Sequence, residues 1–409
     1  MSKIRILAIP SDTHGVGKFR ILGPYTFIQE NYGEDFHVDI KTNVPDDDKE
    51  FENYDIVVFH SFIHSHSEFE RNLERIEWLK KKGIITIIDN DDYWEPDFRH
   101  PMYNQIIKTG TPKKKVQLLK LADYITVTTP IFRNTIKTKL GLTNVQVFPN
   151  AVDETEPQYK PNPTKSDRVR FGWLGGSSHF HDLDLMTSGI NSVYSSHKDK
   201  VQFVLCGFDL RGTVTEIDQK SGQKRQRDIR PHETTWFQYE KIFTDNYRAI
   251  DEDYLKFLTS FKEEEYNDID LPYRRRWTMP ISKYALNYNH FDVSLAPLIP
   301  STFNGNKSQL KLIEAGFHKK AIIASETDPY TIDIISAVNE GKFNDNGNGL
   351  LVNQNRNHKE WAKHMKKLID NPNMIEDLGN RLYETVKDTY SMKKVCKDRV
   401  EFIKSIINN

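Results

Sequence analysis

The chain has little cysteine. Cys206 and Cys396 are the only two thiols in 409 residues. That excludes a disulfide framework and a cysteine-built zinc site, and Cys206, closing an apolar run, is expected to be a buried thiol. Net charge is missing as well: 57 Lys and Arg against 58 Asp and Glu leave −1. Nothing in that total demands a polyanionic partner, although a local basic patch can hide inside it. No apolar run approaches the roughly 18 residues of a membrane span. The chain starts directly on a strand pattern without a signal-peptide signature. The expected location is the cytoplasm, with peripheral attachment at the inner membrane surface left open. Short repeats and low-complexity tracts are absent, and neither a Walker A loop nor a helical HExxH occurs.

What is present is a soluble globular composition, 37% hydrophobic and 28% charged. A chain this long predicts two domains of about 150 to 200 residues. KIRILAIP (3–10), FHVDI (36–40), YDIVVFH (54–60), IITIIDNDD (84–92), ADYITVTTP (122–130) and VQVFPNAVD (145–153) read as strands. Helical patterns separate them: FRILGPYTFIQ, SEFERNLERIEWLKKKG ending at Gly83, a segment near 113–121, and IFRNTIKTKLG with its glycine stop. The strands are continuous apolar runs rather than alternating patterns, which predicts a parallel sheet covered on both faces. ETEPQYKPNPTKSDR (154–168), with three prolines, reads as a linker. The alternation then restarts with VRFGWLGG (169–176), VQFVLCGFD (201–209), FDVSLAPL (291–298), AIIAS (321–325) and GNGLLV (347–352), followed by terminal helices. Residues 211–276 form an irregular excursion rich in charge and aromatics. The expected division is an N-terminal Rossmann-like domain at 1–165, a C-terminal one at 166–385, and a terminal helix at 386–409 packing back toward the first. In such folds ligands bind beyond the carboxyl ends of the strands.

Several candidates stand at those ends. Gly175 and Gly176 follow a strand and let backbone N–H groups approach a pyrophosphate; the alternative is a tight turn with no ligand. In NGNKSQLKLIEAG (304–316), Lys307, Lys311 and Glu314 are spaced to stack along one helical face. Glu314 offers two acceptor oxygens to vicinal hydroxyls, and the lysines can neutralise diphosphate, or all three decorate an exposed helix. Ser308 either caps that helix or binds phosphate. His179 and His181, with Ser177, lie beside a leaving group or stabilise a turn. In THGVGKFR (13–20), Gly15 and Gly17 suggest a backbone pocket, and Lys18 and Arg20 a phosphate or acceptor contact. His60, His64 and His66 follow a strand; a polar loop is preferred to a metal site, for want of a completing ligand. Asp89, Asp91 and Asp92 crowd a strand end. One can take a proton from an acceptor hydroxyl, they can hold a divalent ion, or they cap a turn. Arg274, Arg275 and Arg276 read as a solvated loop.

FGWLGGSSHFHDL (171–183), FDVSLAPL (291–298) and NGNKSQLKLIEAGFHKKAIIAS (304–325) together resemble retaining glycosyltransferases of the GT-B fold, broadly the family 4 type. The resemblance implies two doubly wound Rossmann-like domains facing across a cleft. It implies a nucleoside diphosphate sugar as donor, a UDP-sugar in first place, and a hydroxyl-bearing glycan or lipid-linked glycan as acceptor. It further implies transfer with retention of configuration, no tightly bound cofactor and no metal requirement. Glu314 occupies the place of the family's ribose-binding glutamate. Asn306 stands where that pattern has a second glutamate, and Ser177, Ser178, His179 and His181 stand where it has a basic pair. Two other readings remain: a DNA glycosyltransferase using the aromatic and basic stretch 224–247, weighed against the acidic residues at 251–253 and 263–265, and a noncatalytic nucleotide-sugar or polysaccharide-binding module.

Overall fold

The computed structural model describes residues 3–65, 67–217, 223–248, 271–339 and 342–408. They divide into two compact units. Unit 1 takes Met1–Pro157, Pro300–Ile313 and Thr385–Asn409; unit 2 takes Gln158–Ile299 and Glu314–Glu384. His66 and the acidic stretch 251–265 lie outside the described residues.

Unit 1 is built on a parallel sheet of β1 (Ile4–Ile9), β2 (Phe36–Ile40), β3 (Ile56–His60), β4 (Ile85–Asn90), β5 (Tyr124–Val127) and β6 (Val145–Val147). Their spatial order is β2-β1-β3-β4-β5-β6. Every residue of β3 is buried, so its unbroken apolar run has a direct cause: helices cover both faces. One face packs under the helix Phe69–Lys81 through Ile76 and Leu79. The other packs under Gly23–Asn31 and the terminal helix Met392–Ile407, where Tyr25 and Ile28 share a core with Val395, Cys396, Val400 and Ile403. The terminal helix thus belongs to unit 1. Its Ser391 side chain caps it by accepting from Lys394 N–H, and Val152 forms a parallel bridge with Ser391.

Unit 2 repeats the plan. β7 (Val169–Leu174) and β8 (Val201–Phe208) open it, and β9 (Thr213–Ile217) and β10 (Lys224–Asp228) form an antiparallel hairpin apart from the main sheet. β11 (Tyr273–Trp277), β12 (Val293–Ala296) and β13 (Ala321–Ser325) follow, then the short pair β14 (Val338–Asn339) and β15 (Lys342–Phe343), and finally β16 (Leu350–Val352). The main sheet is parallel in the order β11-β8-β7-β12-β13-β16. Its core gathers Trp173, Phe203, Tyr239, Phe243 and Trp361.

Two expectations change here. The arginine run 274–276 is not a solvated loop but most of the edge strand β11. Arg274 and Arg275 are buried, and Arg275 donates to both oxygens of Glu240, at 2.6 and 2.7 Å. The aromatics Trp236, Tyr239 and Phe243 belong to the unit 2 core rather than to a stacking surface, while Arg227 is held by Glu216 and Glu233.

Candidate functional site

Each unit presents polar residues just beyond the carboxyl ends of its strands. In unit 1, the turn after β1 is organised by Asp12. Its Oδ1 accepts from His14 N–H at 2.8 Å and from Gly17 N–H at 3.1 Å. A Cβ on Gly17 would lie 1.7 Å from the Asp12 carbonyl oxygen, so that glycine is needed by the turn itself. Gly15 is exposed, with open space around it. The Lys18 ammonium is paired with Glu156 at 2.5 Å.

Arg20 and Asp89 are occupied with each other. The guanidinium donates through Nε and Nη2 to both Asp89 oxygens, at 2.9 and 2.8 Å, and through Nη1 to the Phe148 carbonyl. Thr126 donates to the same carboxylate at 2.6 Å. Arg20 is 1% exposed and Asp89 0%, so neither reaches a ligand. Burial opposes the charge on each. The partner overcomes it, lowering the Asp89 carboxyl below its ordinary value and raising Arg20. The network continues through Asn150, which accepts from Arg20 and donates to Ser308 Oγ at 3.1 Å. Ser308 is therefore tied into unit 1.

His60, Asp91 and Asp92 are different, because the two carboxylates keep partial exposure. His60 stands between Ser11 Oγ, 2.9 Å from its Nδ1, and Asp91 Oδ1, 2.8 Å from its Nε2. Burial pushes both carboxyls up. At Asp91 the facing His60 imidazole reverses this and holds the group far below the usual carboxylate range. At Asp92 the charge of Asp91 adds to burial and the value stays raised, although Lys307 and Lys115 pull it down. Two neighbouring acids thus have their proton affinities driven apart, an arrangement suited to acid–base work. Lys307 precedes the helix Leu310–Phe317 instead of lying on its face, and its ammonium sits over the Phe303 ring, 4.7 Å from the centroid. His64 donates its backbone N–H to Asn72. Among the described residues no group of three or more His, Cys, Asp or Glu is placed to hold a metal ion.

In unit 2 the turn after β7 leaves Gly176 and Ser177 exposed and Gly175 half-buried. Tyr239 pins it: the His179 N–H donates to the Tyr239 hydroxyl at 2.7 Å, and that hydroxyl donates to the Gly176 carbonyl at 3.3 Å. His179 Nδ1 pairs with Asp182 Oδ2 at 2.8 Å, while Asp182 Oδ1 accepts from Ile299 N–H. Asp182 thereby locks the turn to the segment after β12. His181 is exposed, its ring edge-on to Phe180.

Glu314 is 3% exposed. Its Oε2 accepts from the Tyr288 hydroxyl at 3.2 Å, and its Oε1 has no hydrogen-bond partner among the described residues. Burial alone raises its carboxyl well above the ordinary value. It does not pair with a lysine on an exposed helix, because Ile313, Glu314, Ala315 and Phe317 are all buried; Lys311 is half-buried. Asn306 resembles Glu314: its Nδ2 donates to the Thr302 carbonyl at 2.6 Å, and its buried Oδ1 has no partner among the described residues. Sequence reasoning missed Ser11, Asp12, Asp182, Tyr239 and Tyr288. Only Asp12, in an Asp-Thr-His-Gly turn after a strand, carried a local signal.

No family model matches the chain, and no curated protein matches it in sequence. Solved structures do match in fold. Anabaena Alr3699/HepE, in complex with UDP and glucose, is 12% identical with a TM-score of 0.59, over 98% of this chain and 100% of that one. Staphylococcus aureus TarM, in complex with UDP, fondaparinux and alpha-GlcNAc-glycerol, is 13% identical at 0.54, over 85% and 54%. A putative UDP-N-acetylglucosamine 2-epimerase from Listeria monocytogenes is 10% identical at 0.55, over 100% and 97%. At such identities the likeness establishes architecture alone: two parallel-sheet Rossmann-like units of the GT-B type.

Proposed function

We propose that this chain is a glycosyltransferase that moves a sugar from a nucleoside diphosphate donor, a UDP-sugar in first place, to a hydroxyl acceptor on a glycan or lipid-linked glycan, with retention of configuration. The observation that carries the reading is Glu314. A buried carboxyl with one oxygen unpartnered is costly unless a ligand completes it, and the vicinal hydroxyls of a ribose are suitable donors. The pinned turn at Gly175–Gly176 supplies backbone N–H groups for a diphosphate, and Ser177 and His181 add polar groups. UDP or UDP-glucose in structures of the same architecture supports this base.

Unit 2 holds the donor in this reading, and unit 1 receives the acceptor. Asp92, with its raised proton affinity, takes the proton of the attacking hydroxyl. Asp91 stays ionised and, with His60, fixes the geometry. Lys307 stands near Asp92 and moderates its proton affinity. His179 acts on the leaving group only through the turn that it shares with Asp182. Arg20 and Asp89 support the site from beneath. The chemistry calls for no metal, so transfer persists in chelator.

The test is a nucleotide-sugar panel scored by thermal stabilisation, followed by UDP release with candidate acceptors and mass spectrometry of the product. Glu314→Ala should weaken UDP binding at least tenfold while the protein stays folded. Undiminished affinity in that folded variant removes the assignment. The full-length likeness to a putative 2-epimerase supports a second reading, conversion of the sugar of a UDP-sugar without any acceptor. Product formed from UDP-N-acetylglucosamine alone favours that reading, whereas strict dependence on an acceptor favours transfer.

A further inference from the structure

The opposite edge of the unit 2 sheet carries a cavity of about 760 Å³. Its floor is made where strands begin: Val169 opens β7, Asp292 immediately precedes β12, and Lys320 immediately precedes β13. The candidate donor turn follows the last residue of β7. Six residues of strand separate the two edges, about 20 Å. The cavity is thus distinct from the site described above.

Lys320 is the anomaly. It is 5% exposed and lines the cavity, and the carboxylate that favours its charge is Asp292. The nearest acid is already used. Asp292 accepts from Arg170 Nη2 at Oδ1, 2.7 Å, and from Arg170 Nε at Oδ2, 3.1 Å, so its charge is shared with that guanidinium. Arg168, Lys200 and Lys319 also line the cavity, as do the acids Asp167 and Glu376; of these only Arg168 is half-buried, and the Lys319 ammonium lies over the Tyr383 ring. Ile369 and Ile375 supply an apolar side. The lysine is also held firmly. Lys319 adopts a left-handed φ of 53°, and Gly379 lies so close that a Cβ there would come within 2.2 Å of the Lys319 carbonyl oxygen.

The geometry points to a second ligand site at this amino-terminal edge, in which Lys320 receives the phosphate or carboxylate of a small organic anion whose apolar part rests on Ile369 and Ile375. A buried cation that shares its carboxylate with an arginine is poorly compensated, and an anionic ligand offsets that cost. Burial lowers the Lys320 amine to about 8, so an appreciable neutral fraction exists in mild alkali and the amine is open to selective labelling.

Pyridoxal 5′-phosphate is the probe, because it joins an anion to an aldehyde. The neutral Lys320 amine adds to the aldehyde carbon, water leaves, and borohydride delivers hydride to the resulting imine to fix a secondary amine. The full chain is treated at pH 8 and reduced, and the label on each lysine is read by mass spectrometry with and without competing inorganic phosphate. The expected result is label at Lys320 at least tenfold above the median exposed lysine, suppressed by phosphate. Lys320→Met should also weaken reversible binding of the probe at least tenfold. Label spread evenly over surface lysines, or label at Lys320 indifferent to phosphate, overturns the proposal. The wild-type labelling decides the matter even if Lys320→Met fails to fold.

Discussion

At the scale of single residues, four carboxyl groups have different duties, set by burial and partners. Glu314 is buried with a half-satisfied carboxyl, so its proton affinity is raised from an ordinary 4.5. The native state therefore keeps a proton that the unfolded chain releases, and its stability contribution falls as pH rises from about 4.5 through the native value. Glu314→Gln lacks that titration. Urea midpoints measured from pH 4.5 to 8 should show wild type losing ground to the variant as pH rises; a constant difference would contradict the burial assignment. Asp91 and Asp92 are separated by environment, not by type. Asp92→Asn should lower turnover by about 10²-fold or more with UDP affinity unchanged, and Asp91→Asn should impair transfer likewise. Normal turnover at saturating acceptor would take either residue off the reaction path. Asp89, two positions before Asp91, is structural in this geometry. Arg20→Met strands its carboxylate in the core and should cost about 3–5 kcal/mol in denaturant melts, while Arg20→Met with Asp89→Leu should recover part of that loss.

Turns and strands reveal what local sequence can and cannot say. The strands were legible because a parallel sheet buried on both faces has to be written in unbroken apolar runs, as β3 and β13 are. β11 was not legible. Three consecutive arginines look solvated until Glu240, on the helix Thr235–Arg248 and 35 residues away in the chain, is brought against Arg275. The two glycine turns looked alike in sequence but differ in the fold. Gly17 is fixed by the approach of Asp12, whereas a Cβ on Gly176 meets nothing within 4 Å. Gly17→Ala should therefore destabilise unit 1 by about 1–3 kcal/mol. Gly176→Ala should leave the melting temperature of the free protein nearly unchanged and yet weaken UDP binding. A stability loss at Gly176 equal to that at Gly17 would show that the second turn is merely structural.

Across the whole molecule, unit 1 is completed by chain from its far end. Met392, Val395, Cys396, Val400 and Ile403 cover the same face as Ile21, Tyr25 and Ile28. Each buried aliphatic side chain of this kind is worth about 1.5–3 kcal/mol, and a domain's net stability is only about 5–15 kcal/mol. Deleting residues 391–409 should leave unit 1 unfolded, seen as rapid proteolysis between residues 1 and 157. Protection of that region at the wild-type level would refute the dependence. Cys396 offers a gentler probe of the same helix, since burial pushes its thiol up to about 12. A thiol reagent that modifies it in the intact protein at the rate of an exposed cysteine would show that the helix does not stay docked.

The sequence by itself determined the alternation of buried strands and covering helices, the restart after the proline-rich segment at 154–168, and the chemical types gathered at the strand ends. These are local properties, because periodicity and turn chemistry are written within a few residues. Tertiary structure alone decided which charges are neutralised. It joined Arg20 to Asp89, 69 residues on, and set His60 against Asp91. It also left Glu314 buried with one carboxyl oxygen unpartnered, and Lys320 buried beside a carboxylate that Arg170 already holds. Burial and pairing between distant segments fix a group's charge and reach, and neither exists until the chain has folded.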